Sequence, residues 1–170
     1  MSTTIAIRPW RPGDEDGLRR LIPPIQCLEF GLPISWAEQP DLHDIGGFYG
    51  RGGGGFWVAE ARRRIVGSIA LVDIGGGDGA LRKMFVARDW RGPESGIAGR
   101  LLDGLLEHAL DRGLERIWLG TTEAFKAAHR FYEKHGFAEI DPADLPAAFP
   151  RMAVDTRFFR LDLAAQRTSS

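Results

Sequence analysis

A loop rich in glycine that runs directly into a leucine-rich segment is the feature that most constrains the fold of this chain. The stretch reads DWRGPESGIAGRLLDGLLEHA and covers residues 89–109. Its apolar residues recur every three to four positions, at Ile97, Leu101, Leu102, Leu105, Leu106 and Ala109. Charged residues occupy the opposite side. This pattern predicts an amphipathic helix that packs one face on a core and ends at Gly113.

The start of this helix is predicted to bind an anion. The first amides of a helix have no intrahelical acceptor, and here they fall around residues 95–99. Together with the positive end of the helix dipole they suit a phosphate group. Gly96 and Ala98 are small enough to let a ligand approach the backbone closely. Arg91 can add a charge-assisted contact.

A plainer interpretation of the same loop stays open at this point. Gly92 and Pro93 can form an ordinary turn, and Ser95 can cap the helix with its hydroxyl rather than give its amide to a ligand. Every helix has such an N-terminus, so the loop alone does not decide between the two interpretations. The flanking sequence favours the anion site.

With this helix included, the chain predicts seven strands and four helices. Strands are expected at residues 4–10, 55–61, 64–75, 78–87, 116–122, 137–140 and 157–163. Hairpin strands come first and a strand–helix–strand crossover follows. This order predicts an α/β (α+β) fold, with a mixed, mostly antiparallel sheet of about seven strands and about four helices on both faces. We expect one domain over residues 1–165 and a frayed tail over residues 166–170.

The other helices have recognisable end signals. Asp14 is predicted to cap the first helix, which Pro23 and Pro24 should end or bend. Asp41 is predicted to cap a short second helix. A further helix is expected over residues 123–136, with Gly136 just beyond its last turn.

Composition excludes several classes of protein. The formal net charge is −1, so nothing indicates nucleic-acid binding, which needs clustered lysine and arginine. No run of about 18 apolar residues is present, so no membrane span is expected. A single Cys27 excludes an internal disulfide, and no signal peptide or metal-ligand cluster is evident. We expect a cytoplasmic protein without a metal, either monomeric or homodimeric.

Four segments, in this order, resemble the GNAT superfamily of acyl-CoA-dependent N-acetyltransferases. They are LRKMFVARDWRG, GIAGRLL, IWLGT and AAHRFYEKHGF, and they lie within residues 78–140. The family has a strand that leads through a pyrophosphate loop into a long helix, followed later by a helix with a Phe-Tyr-Glu-Lys signature. The resemblance implies the GNAT fold and an enzyme that uses acetyl-CoA as cosubstrate.

Site residues follow from the resemblance position by position. Backbone groups of Met84, Phe85 and Val86 would hydrogen-bond the pantetheine arm. Tyr132 would lie near the thioester sulfur as the catalytic acid. The pyrophosphate would be held by the loop and the first turn of the helix, namely Arg91, Gly92, Ser95, Gly96, Ile97, Ala98, Gly99 and Arg100.

The chain also departs from the family pattern at three positions. Pro93 stands where the family loop usually has a basic residue, and the loop is two residues longer. Phe125 replaces an asparagine that often contacts the cofactor, unless Thr121 or Thr122 supplies that contact. Ala80 replaces a glutamate that many members use as a base.

Acetyl transfer to an amine needs a proton acceptor, which the sequence does not identify. Glu123 and His129 are candidates, although a first-turn carboxylate and a structural histidine are the plainer interpretations of them. Asp78 lies too near a turn to assign. Water can also accept the proton without a dedicated base.

The acceptor is predicted from the segment that follows the first helix. Glu29, Phe30 and Trp36 are the expected substrate-binding residues, in a stretch with four acidic residues and no lysine or arginine. Such a pocket would suit a cationic amine of a small molecule, through ion pairing and cation–π contact. A solvated helix pair, a protein or peptide substrate, and a binding module without turnover are the alternatives.

Overall fold

The structure is a computed structural model that describes residues 4–92 and 95–163 of the chain. Its strands are β1 (Ile5–Pro9), β2 (Gly55–Ala61), β3 (Arg64–Gly75), β4 (Asp78–Val86), β5 (Arg116–Thr121), β6 (Ala138–Ile140) and β7 (Arg157–Asp162). Its α-helices are α1 (Glu15–Pro23), α2 (Ile45–Tyr49), α3 (Ile97–Asp111) and α4 (Lys126–Lys134). The predicted numbers of strands and helices are thus found within the described residues.

The strands form one seven-stranded sheet in the order β1-β2-β3-β4-β5-β7-β6. Neighbouring strands pair antiparallel, except for β4 and β5, which run parallel. Parallel neighbours need a crossover rather than a hairpin, and α3 supplies it. The predicted mixed, mostly antiparallel sheet is confirmed.

Each face of the sheet carries its own apolar core, as the predicted helices on both faces require. On one face Leu101 and Leu105 of α3 are fully buried, and Tyr132 of α4 lies in the same cluster. On the other face α1 and α2 pack through Leu18 and Ile45. The apolar stripe predicted for α3 is therefore the stripe that faces the core.

One helix end agrees with its predicted position and one does not. The α-helical part of α1 ends at Pro23, as predicted, but the chain continues as a π-helical turn, Pro24–Glu29, because both prolines have helical backbone angles. The fixed φ of proline is compatible with a helix, and the wider turn tolerates the missing amides. The last helix begins at Lys126 and not at Glu123, because a preceding turn joins the Phe125 amide to the Thr122 carbonyl (3.1 Å).

The predicted cap of the second helix is also wrong. Asp44 caps α2, because its Oδ1 accepts a hydrogen bond from the Gly47 amide (3.2 Å). Asp41 lies instead in a 3₁₀ turn, Pro40–His43, where it is 4% exposed and accepts a hydrogen bond from the Tyr49 hydroxyl. The Asp41 carboxylate therefore hydrogen-bonds to Tyr49 in the core and not to amides at the helix end.

Some predictions fall outside the described residues. These are the frayed tail at 166–170 and the lost amide of Pro93. The assignment of residues 1–165 to a single domain stays a prediction. Among residues 4–92 and 95–163, no helix has both the length and the apolar character needed to cross a membrane.

Candidate active site

Strands β4 and β5 are paired over only part of their length. They pair only where Asp78–Ala80 lies beside Arg116–Trp118. Beyond that point both strands line one cavity of about 990 Å³, with residues 81–86 on one wall and 119–122 on the other. Backbone that has lost its neighbouring strand can hydrogen-bond an extended ligand in its place. Met84, Phe85 and Val86, the predicted pantetheine contacts, all line this cavity.

The N-terminus of α3 opens on the same cavity. Gly96 precedes the helix in the left-handed region (φ +62°), and a Cβ built on it would have no atom within 4 Å among the described residues other than its two chain neighbours. The first helical bond joins the Arg100 amide to the Gly96 carbonyl (3.0 Å), so the amides of residues 97–99 precede it. Gly92, Gly96, Ala98 and Gly99 line the cavity, while the Ile97 side chain is buried in the core.

Two residues of this loop make contacts within the protein. Ser95 does not cap the helix, because its hydroxyl donates to the carbonyl of Trp90 (2.6 Å), and binding of a ligand by its amide stays a prediction. Arg100 has no free amide for a ligand, and its guanidinium donates to the carbonyl of Ile5 (3.0 Å), away from the cavity. The small residues at the helix start are therefore the part of the prediction that the geometry supports.

Arg91 and Glu29 contact each other, although the sequence assigned one to phosphate and the other to substrate. The Arg91 guanidinium forms two hydrogen bonds to the Glu29 carboxylate, and its Nε donates to the Val86 carbonyl (2.8 Å). This arginine holds the pKa of Glu29 below its usual value. Glu29 is therefore charged and paired, and it reduces the positive charge that Arg91 can offer to an anion.

A basic face of α4 adds positive charge that the sequence analysis missed. Lys126, Arg130 and Lys134 line the cavity, and His135 joins them at the end of the helix. The three basic residues are four positions apart, which places them on one side of a helix. The same four-residue spacing can be read from the sequence and predicts this basic face. Together with the amides of α3 it makes one end of the cavity suitable for a polyanion.

Tyr132 lies where α4 meets the cavity. It is 5% exposed, and its ring packs against Phe137 and Phe159 at centroid distances of 5.5 and 6.1 Å. Burial raises the pKa of this phenol above its ordinary value. The hydroxyl therefore keeps its proton at neutral pH, as a group that donates a proton must.

The predicted acidic pocket for the acceptor is not formed. Glu29 and Trp36 are not part of the cavity wall; Trp36 packs beside His43, with ring centroids 5.8 Å apart. Glu38 accepts hydrogen bonds from Ser35, so the acidic residues of this segment serve local structure. Of the predicted substrate residues only Phe30 lines the cavity, where its ring meets Phe125 edge-on at 4.5 Å.

The side chains considered as bases in the sequence, namely the candidates Glu123 and His129 and the unassigned Asp78, lie in different surroundings. Asp78 accepts hydrogen bonds from Arg116 (2.7 Å) and from the Trp118 indole (2.9 Å). His129 is buried between the Thr122 carbonyl and the Arg157 guanidinium, at 2.9 and 2.7 Å. Glu123 is exposed and lies before α4.

Charged residues that the sequence analysis missed line the other end of the cavity. Arg82 and Lys83 extend from β4, and Asp155 comes from the segment before β7. Asp155 is the one carboxylate among the described residues that line the cavity, and burial raises its pKa. Within the described part of the chain, no group of His, Cys, Asp and Glu side chains could hold a metal ion.

Comparison with known proteins identifies the same architecture. The model of the Acetyltransferase (GNAT) family matches residues 24–137. The crystal structure of a GNAT-family acetyltransferase from Staphylococcus aureus Mu50 is similar over 94% of this chain and 99% of its own, with 36% identity and a TM-score of 0.90. YjgM of Escherichia coli K12, an uncharacterised N-acetyltransferase, is 29% identical over 136 residues, which cover 76% of this chain and 80% of YjgM.

A more distant structure has coenzyme A bound. It is the N-acetylglutamate synthase from Neisseria gonorrhoeae, solved with coenzyme A and N-acetylglutamate. At 17% identity and a TM-score of 0.73, the likeness shows the fold alone, and it covers 96% of this chain but 36% of the synthase.

Proposed function

Because the chain belongs to the GNAT acetyltransferase family, whose members are acetyl-CoA-dependent acyltransferases, we propose that it acetylates a primary amine of a small molecule. Acetyl-CoA is the cosubstrate, and the amine attacks it directly in a ternary complex. The observation that carries the proposal is one cavity lined both by the first turn of α3 with the basic face of α4 and by apolar side chains of other segments. Both substrates would therefore meet between β4 and β5.

The donor end fits the coenzyme in shape and charge. The amides of residues 97–99 and the open space at Gly96 suit a pyrophosphate, and the basic face of α4 lies on the same cavity. The free edge of β4 suits the pantetheine amides. The Val86 carbonyl in this edge already accepts a hydrogen bond from Arg91.

The chain's own residues supply the remaining chemistry. Acetyl-CoA supplies an activated acyl group with a thiol as leaving group. As the C–S bond breaks, the coenzyme leaves as a thiolate, and we assign donation of a proton to this thiolate to Tyr132, whose buried phenol stays protonated. A strand amide near Phe85 or Val86 would stabilise the charge that develops on the carbonyl oxygen. We assign removal of the amine proton to Asp155, whose raised pKa brings it closer to neutral pH.

Apolar side chains from two separate segments line the cavity, as they would around a small acceptor. Leu32 and Ile34 line it from the segment after α1, and Phe149 and Met152 line it from the loop before β7. A protein or peptide acceptor would need an open groove there. A binding module without turnover remains the second candidate, because Ala80 and Phe125 replace polar residues that the family commonly uses.

A panel of acceptors separates these functions. Purified protein is given acetyl-CoA with small primary amines or with peptides, and release of the thiol is followed. Saturable release with small amines supports the proposal, and release with peptides alone would replace it by the protein-directed function. Tight binding of acetyl-CoA without release for any acceptor would identify a binding module. The cytoplasmic location and the homodimer stay predictions from the sequence.

The ion pair between Arg91 and Glu29 leads to a prediction for cofactor affinity. In Glu29→Gln the Arg91 charge is no longer neutralised, so acetyl-CoA should bind about two- to fivefold more tightly, the size expected for an exposed pair. Calorimetry at low and high salt measures this, and the gain should shrink at high salt. Glu38→Gln is the matched control, because Glu38 contacts Ser35 instead. An unchanged or weaker affinity in Glu29→Gln would contradict the expectation.

A further inference from the structure

Arg82 lies in β4 next to a bulge, on the part of the strand that lines the cavity. The pairing of β3 with β4 shifts between Ser68 and Ala70, and Lys83 has a φ of +54°. A bulge of this kind turns a side chain in a new direction. Here the Lys83 ammonium meets Gln39 and Asp41, and the Arg82 guanidinium meets Met152.

Arg82 has no acidic partner at contact distance. Among the described residues no carboxylate oxygen lies within 4.0 Å of its guanidinium; it contacts the Met152 sulfur (3.6 Å) and lies over the Phe48 ring, 5.7 Å from the centroid. Neither contact uses the strong hydrogen-bonding capacity of a guanidinium, which has five N–H donors. Asp155 acts on Arg82 only at longer range. A half-buried arginine of this kind can receive an anionic group.

Lys83 is held in place beside it by a buried network. Its ammonium donates to Gln39 and lies 3.6 Å from the Asp41 carboxylate, which in turn accepts from the Tyr49 hydroxyl. Gln26 completes the network through hydrogen bonds of 3.2 and 2.9 Å to Gln39. The network fixes the position of the ammonium, and Lys83 as a whole is 7% exposed.

We propose that Arg82 binds a carboxylate of the acceptor, so that the substrate is an amine that also carries an acid group, such as an amino acid. This inference rests on the proposed function and names its substrate class. Arginine suits the role because its planar guanidinium matches a carboxylate with two parallel hydrogen bonds. The carboxylate would then anchor the acceptor on β4, with its amine free to reach the thioester.

Matched acceptors test the proposal. Amino acids with α-, β- and γ-amino groups, and dicarboxylic amino acids, are compared with their carboxamides by thiol release at saturating acetyl-CoA. We expect at least one acid to exceed its own amide by about tenfold or more in kcat/KM. Amides that react as well as the acids would overturn the proposal and leave the acetyltransferase function intact. No turnover with any amine would instead overturn the proposed function, and this inference with it.

Variants of Arg82 identify the residue responsible. Arg82→Gln should raise KM for the best acid about tenfold, with a smaller change in kcat, an unchanged KM for acetyl-CoA and an unchanged KM for the matched amide. Arg82→Lys should recover part of the loss. Arg160→Gln is the control, because Arg160 also lies over an aromatic ring, that of Trp118, but is not part of the cavity wall. An equal loss for acid and amide in Arg82→Gln would overturn the assignment.

Discussion

Tyr132→Phe is expected to lower kcat about 100-fold, the lower end of what a positioned general acid contributes. The hydroxyl is the only group removed, and the ring contacts with Phe137 and Phe159 remain. Without the phenol the thiolate must leave unprotonated or wait for water. Steady-state thiol release measures the loss, and calorimetry should show an unchanged affinity for acetyl-CoA.

A packing variant of the same cluster separates chemistry from structure. Phe137→Leu removes an aromatic contact of Tyr132 and keeps the hydroxyl. It should lower the melting temperature, whereas its kcat should fall far less than that of Tyr132→Phe. If Tyr132→Phe keeps kcat within about threefold of the wild-type value, a general acid at this position is ruled out, because that effect is far below the usual contribution.

Gly96→Glu is expected to weaken acetyl-CoA binding roughly 100-fold. Apart from its chain neighbours, no atom of the residues that the structure describes lies within 4 Å of a Cβ at Gly96, so a side chain there would extend into the space that we assign to the pyrophosphate. A carboxylate in that place adds steric crowding and repulsion of a like charge, worth a few kcal/mol at short range. Calorimetry with acetyl-CoA measures the change.

The backbone of Gly96 requires its own control. With φ at +62°, any side chain there strains the loop by about 1–2 kcal/mol, except that asparagine tolerates this region better than other residues. Gly96→Asn should therefore fold normally and lose less affinity than Gly96→Glu. Equal affinities in the glutamate variant and the wild type would show that the diphosphate lies elsewhere.

Local periodicity predicted the elements that frame the site. The stripe from Ile97 to Ala109 predicted α3 and its buried face, because packing on a sheet demands that spacing. The hairpin of β2 and β3 was readable from two strands separated by Arg62 and Arg63, which both have positive φ. Such signals are carried by residues close in sequence.

Contacts between distant residues explain what the sequence did not reveal. Glu29 and Arg91 are 62 positions apart, and each was assigned to a different ligand before the fold brought them together. The buried contacts of Lys83 with Gln39 and Asp41 were not predicted, because they join residues about 40 positions apart and the bulge beside Lys83 has no reliable local signature here. Asp41 appeared to be a helix cap because its buried partners, Tyr49 and Lys83, come from other elements.

The crystal structure of this protein with acetyl-CoA or coenzyme A tests the central claim most directly. We expect the diphosphate to accept hydrogen bonds from the amides of residues 97–99 and the pantetheine arm to lie along the free edge of β4, with its sulfur near the Tyr132 hydroxyl. Coenzyme found away from the N-terminus of α3, or outside the cleft between β4 and β5, would contradict the account.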